Sequence, residues 1–332
     1  MKQELRLPPR LRAGDVVAVA TPSGPSRTPG RLARGVAALR ELGFEVVVGP
    51  MARTADPAER GVEARAAELN GFINDPTVRA VFVGIGGHLS NATLPHLDFA
   101  ALRERPKVIC GYSDITAILL GCYAQAQVVT FHGPTLLPEL GEFPMVLPYT
   151  AERLWSVVGR SRPAGRLVAP DAWTDEFHAW DVDDNRAREM RPSGGWSWLS
   201  GGRGSGPLVG GNLETISALA GTPYLPDFTD AVVFLETAGA NIDEIERLLT
   251  HLEMIGVFTT AAAVLFGRPF RAAEGCPERL RALLRRTLGT RLPVVADVDL
   301  GHTDPMLTLP IGVHATVDAD ARTLELTDAA VG

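Results

Sequence analysis

The chain has 332 residues, 45% of them hydrophobic and 21% charged, which is enough apolar material for two cores. A net charge of −7 and the lack of any basic patch exclude nucleic acid as an expected partner. No apolar run approaches 18 residues, so no membrane span is expected, and residues 1–6 lack the core of a signal peptide.

Strand and helix signals alternate over the first 135 residues. Strands read at 15–21, 45–48, 78–83, 108–110 and 128–131, and helices at 29–42, 57–73, 97–103 and 114–124. This alternation predicts an α/β unit with a parallel sheet covered on both faces, and a ligand site beyond the carboxyl ends of its strands. From about 137 to 207 the pattern dissolves into a proline-rich segment with a Gly/Ser run at 200–206, and all five tryptophans fall here. Long irregular segments in compact proteins are functional or act as linkers, and the tryptophans argue against disorder. Order resumes near Leu208. Helices read at 212–220, 242–254 and 277–288, strands at 232–235, 263–266 and 293–298, and a terminal hairpin at 311–317 and 323–326. The expected division is an N-terminal domain at 1–136, an irregular linker with a Trp-rich substrate loop at 137–207, and a C-terminal α/β domain at 208–332.

The most informative stretch is Val108-Ile109-Cys110-Gly111-Tyr112-Ser113-Asp114-Ile115-Thr116. A short buried strand ends at Gly111, Ser113 follows, and helical spacing begins at once. Hydrolases present a nucleophilic hydroxyl on such a strand-to-helix turn, where the helix start also offers N–H groups to an oxyanion. Ile115 stands where the generic elbow has its second glycine, and a capping serine fits the same pattern. A serine nucleophile needs a base and an orienting acid. Of seven histidines, His302 is best placed, in a loop just after strand 293–298. Glu236 directly ends strand 232–235, at a strand mouth. An ordinary surface histidine and a helix-start carboxylate satisfy these two positions equally well. The turn Gly84-Ile85-Gly86-Gly87 lacks the third glycine of a dinucleotide fingerprint, so an oxidoreductase is the remote alternative. As bare backbone N–H groups approaching a ligand, the turn is well suited. Three cysteines (Cys110, Cys122, Cys276) and seven histidines show no metal-ligand spacing. A reducing cytoplasm is the simplest setting.

These pieces together resemble the LD-carboxypeptidase family of serine peptidases, and most closely its microcin C self-immunity branch. The matching pieces run in family order: Thr21-Pro22-Ser23-Gly24, Gly86-Gly87, Ser90-Asn91, Gly111-Tyr112-Ser113-Asp114, Thr130-Phe131-His132-Gly133-Pro134, Gly210-Gly211-Asn212, Phe234-Leu235-Glu236 and Gly301-His302. The resemblance implies a Rossmann-like N-terminal domain, a smaller C-terminal α/β domain and a site between them. It implies Ser113 as nucleophile, His302 as base and Glu236 as the acid orienting it. The oxyanion hole would come from the backbone N–H groups of Asp114 and Gly87, with Gly86 as a further donor. No metal or organic cofactor is expected, and a homodimer is common in the family. Ile85 replaces the arginine usual before the double glycine of the peptidoglycan branch, and His88-Leu89 replace its Tyr-Gly. The expected substrate is a small peptide or peptidyl-nucleotide, with removal of a terminal D-alanine from a muropeptide as the alternative. Trp196 and Trp198, in a glycine-rich loop, are expected to stack on a flat ring. Asn212, Ser90 and Asn91 complete the expected substrate contacts.

Overall fold

The computed structural model describes residues 4–53, 57–289 and 291–332. Strands β1 Val16–Ala20, β2 Glu45–Val48, β3 Val78–Val83, β4 Val108–Gly111 and β5 Thr130–His132 form a parallel sheet in the order β2-β1-β3-β4-β5. Their near-continuous Val, Ile and Ala runs are what a sheet buried on both faces requires. Helices α1 Pro29–Glu41, α2 Gly61–Asn74, α3 Phe99–Glu104 and α4 Thr116–Ala126 supply the crossovers. The strand order reverses between β1 and β3, which opens a crevice at their carboxyl ends.

Segment 137–207 is more ordered than its prolines suggest. It holds α5 Pro148–Val158 and the short strands β6 Gly165–Leu167, β7 Ala172–Trp173, β8 Arg191–Pro192 and β9 Ser197–Trp198. Pro148 opens α5, where its missing N–H costs nothing, so a residue read as a breaker is a helix start. β6 and β9 form the two edges of a second sheet.

The rest of that sheet comes from β10 Arg203–Asn212, β11 Val232–Glu236, β12 Ala263–Gly267 and β13 Val294–Val298, which run parallel. Helices α6 Leu213–Ala218, α7 Ile242–Met254 and α8 Cys276–Thr287 connect them. Residues 203–206 of the Gly/Ser run open β10. A β-carbon at Gly204 or Gly206 would collide with the carbonyls of Ala262 or Asp230, so close strand packing fixes these glycines. The stretch read as one strand at 311–317 is two. β14 Leu309–Ile311 pairs antiparallel with β5 in the first sheet, whereas β15 His314–Asp318 and β16 Thr323–Leu326 extend the second. The final order is β6-β16-β15-β10-β11-β12-β13-β9. Among the described residues, no helix is long and apolar enough to cross a membrane.

Candidate active site

β4 ends at Gly111 and a 3₁₀ turn, Ser113–Ile115, leads into α4. Ser113 sits at φ +62°, a left-handed conformation that L-residues with a side chain rarely hold without surrounding constraint. The Ser113 hydroxyl is 3.1 Å from His302 Nε2, and His302 Nδ1 is 2.6 Å from Glu236 Oε2. The three side chains come from three places: the end of β4, the last residue of β11, and the loop after β13. Gly301 precedes the histidine at φ +87°, and a β-carbon there would lie 2.5 Å from Glu236 Oε2. Only glycine lets this loop pass so close to the carboxylate.

The electrostatics favour a charged acid beside a basic imidazole. Glu236 is completely buried, which alone would raise its pKa. The His302 charge and hydrogen bond, with help from the Asn212 side chain, outweigh burial and hold it below its ordinary value. Burial likewise pushes His302 down, and the Glu236 carboxylate more than reverses this, leaving the imidazole above its ordinary value. His132 is fully buried and lies edge-on to Tyr112 and Phe234; burial holds its pKa at about 4, so it is neutral near pH 7. The Tyr112 ring packs edge-on to His302 at 5.0 Å, and its hydroxyl donates to Glu139 at 2.7 Å.

The glycine turn after β3 reaches the serine. A β-carbon on Gly86 would lie 2.9 Å from Ser113 Cβ, 3.0 Å from its Oγ and 3.6 Å from the Asp114 backbone N. The turn is held by Gly24 N–H donating to the Gly86 carbonyl at 2.8 Å. Asp114 anchors the elbow: its carboxylate accepts from Ser23 Oγ at 2.5 Å and from Ser90 N–H at 2.9 Å. The Ser90 hydroxyl donates to the Asp114 carbonyl at 2.5 Å. Ser90 is therefore a buried brace with no face toward a ligand, which corrects its expected role as a substrate contact.

Two cavities flank the serine. The larger, about 560 Å³, runs from Gly86, Ser113 and His302 to Phe177, Trp180 and Phe270. The smaller, about 230 Å³, is lined by Asn91, Asn212 and Glu214 and shares Gly87, His88, Ser113 and Ala238 with the larger. Asn212 also caps α6, accepting from Thr215 N–H at 2.9 Å. Trp196 and Trp198 line neither cavity. Ser197–Trp198 pairs as β9 with β13, the two rings pack against the core, and Trp196 Nε1 donates to the buried Asp299 at 2.7 Å. The expectation that they stack on substrate is corrected: both rings pack against the core away from either cavity, and Trp196 spends its N–H on Asp299. Trp180, from the same Trp-rich segment, is the tryptophan at the cavity, and nothing in the sequence separated it from its neighbours.

A serine hydroxyl, an imidazole within reach and a buried carboxylate behind it can form and hydrolyse an acyl-enzyme. Among the described residues, no group of three or more His, Cys, Asp or Glu side chains could hold a metal ion.

Residues 17–133 match the model of the LD-carboxypeptidase N-terminal domain, and residues 205–317 that of the LD-carboxypeptidase C-terminal domain. A Vibrio cholerae protein with a carboxypeptidase name is 35% identical over 96% of this chain and 96% of its own. The Escherichia coli microcin C7 self-immunity protein MccF is 33% identical over 96% of this chain and 94% of its own. The structure of MccF in complex with glutamyl sulfamoyl guanosine superposes with a TM-score of 0.90 at 30% identity, covering 98% of this chain and 99% of that one. MccF has also been solved with aspartyl sulfamoyl adenosine.

Proposed function

This chain belongs to the LD-carboxypeptidase family, and on that premise we propose that it is a serine amidase which cleaves the amide between an aminoacyl or peptidyl group and a nucleotide-like leaving group. The observation that carries this reading is the relay of 3.1 Å and 2.6 Å contacts from Ser113 through His302 to Glu236, opening on a cavity walled by Trp180 and Phe177.

In this reading His302 Nε2 takes the Ser113 proton as Oγ attacks the carbonyl carbon. The carbonyl oxygen gains charge and is held by the backbone N–H groups of Asp114 and Gly87, with Gly86 beside them. Glu236 keeps the imidazole in the tautomer whose Nε2 is free and stabilises the imidazolium once formed. His302 then hands its proton to the leaving nitrogen and the C–N bond breaks. A water, deprotonated by His302 Nε2, then attacks the acyl carbon; the bond to Ser113 Oγ breaks, the acid leaves and His302 returns the proton to the serine.

Two features favour a nucleotide-like leaving group over a terminal D-alanine. The indole of Trp180 and ring of Phe177 offer stacking surface for a base, worth roughly 1–3 kcal/mol. A D-alanine carboxylate needs a cation instead. The two arginines of the cavity are already committed, Arg31 to Glu142 and Asp184 and Arg188 to Glu142 and Asp304.

The test is a hydrolysis panel of aminoacyl-sulfamoyl adenosines against an L,D-tetrapeptide ending in D-alanine. The nucleotide substrates should have the higher kcat/KM, and Trp180→Ala should lower it about tenfold to a hundredfold, the size of one base stack. Trp196→Ala should instead lower thermal stability. Faster tetrapeptide cleavage, indifferent to Trp180, would replace this reading with muropeptide carboxypeptidase activity.

A further inference from the structure

The smaller cavity meets the larger at Ser113, sharing Gly87, His88 and Ala238 with it, and none of the aromatic wall of Phe177, Trp180 and Phe270 lines it. A substrate spanning the serine must place its leaving group in one and its acyl residue in the other. At about 230 Å³ the smaller cavity falls below the roughly 300–1,000 Å³ of drug-sized ligand pockets, so it suits one amino-acid side chain rather than a nucleoside.

Its titratable lining is two carboxylates, Asp114 and Glu214, and one histidine, His88. No lysine or arginine lines it. Asp114, on its wall, is occupied by Ser23 and Ser90 and sits in the field of the Arg65 guanidinium. Glu214 has no arginine or lysine beside it; its compensation is limited to backbone N–H groups and the field of His302. Its Oε1 accepts one long bond from Ala238 N–H at 3.3 Å, and its Oε2 is buried with no hydrogen-bond partner among the described residues. Burial, with the charge of Glu236 behind it, pushes its pKa up, and the field of His302 and the backbone N–H groups do not fully offset this. A buried carboxylate oxygen left unpaired is costly, and a ligand that supplies a cationic donor removes that cost.

Building on the proposed amidase activity, we propose that the smaller cavity receives the side chain of the acyl residue and that Glu214 makes it select a cationic side chain over an acidic one. An ammonium entering the cavity pairs with Glu214 Oε2. A carboxylate entering it meets Glu214 with no lysine or arginine on the wall to offset the repulsion, and like-charge contacts in a desolvated site discriminate strongly.

The experiment compares matched lysyl and glutamyl acyl groups in two series, one on sulfamoyl adenosine and one on D-alanine. In whichever series is cleaved, kcat/KM for lysyl should exceed that for glutamyl by at least about tenfold. Glu214→Gln, which keeps the shape, should shrink that ratio, and Glu214→Lys should invert it. Equal or reversed rates in the native enzyme, or a ratio that Glu214→Gln does not move, would overturn the assignment. Cleavage in the D-alanine series alone would refute the nucleotide reading while the lysyl-to-glutamyl ratio still decides the role of Glu214. If neither series is cleaved, both proposals fall.

Discussion

His302 is the residue whose environment dictates the most. As the proposed base it works only when neutral, and Glu236 stabilises its protonated form. The acid limb of kcat/KM should therefore have its midpoint above the ordinary histidine value of 6.5, with activity lost as pH falls through it. Glu236→Gln removes the charge that raises the imidazole, so the limb should move to lower pH while the rate drops by about 10²–10⁴-fold through loss of the correct tautomer. A pH–rate profile of both proteins checks this. An unmoved limb in Glu236→Gln would separate His302 from the reaction. Ser113, His302 and Glu236 were each legible as strand-end residues in sequence, whereas Trp180 was not, because all five tryptophans share one segment without periodicity. Ser90 and Trp196 misled for one shared reason. Their polar atoms are spent on buried partners, Asp114 and Asp299, that lie far away in the chain.

The elements that matter are the turns where strands stop. β4 of the first sheet and β11 and β13 of the second each deliver a side chain to the site within a few residues of the strand's end. The loop after β13 has the least tolerance, since Gly301 brushes Glu236. Gly301→Ala adds a β-carbon both at a positive φ and against that carboxylate. It should reduce kcat by at least about tenfold, in line with other misplaced catalytic geometry, with a smaller change in KM. Steady-state kinetics beside a thermal melt checks this, and kcat at the native level would show that the loop can yield. Most helices and parallel strands were legible from unbroken apolar runs and 3.6-residue spacing. β10 was hidden because its glycines are set by the carbonyls of neighbouring strands, which no local pattern reveals. The split of 311–317 was hidden as well: both halves are apolar, and their assignment to different sheets is a tertiary matter.

At the scale of the whole molecule, the two sheets each hold half of the site. The first supplies Ser113 and the glycine turn, the second Glu236 and His302, and β14 stitches the C-terminal chain into the first sheet beside β5. That pairing ties the C-terminal chain to the first sheet, and two cavities meet at the serine. Such an arrangement matches hydrolysis of a bond with bulk on each side. The central claim is that Ser113 is the nucleophile this architecture activates, and labelling with a fluorophosphonate probe tests it most directly. Peptide mapping by mass spectrometry should find one stoichiometric adduct, on Ser113, that is absent in Ser113→Ala and much slowed in His302→Ala. No adduct on the folded native protein, or an adduct on another residue with Ser113 unmodified, would contradict the account.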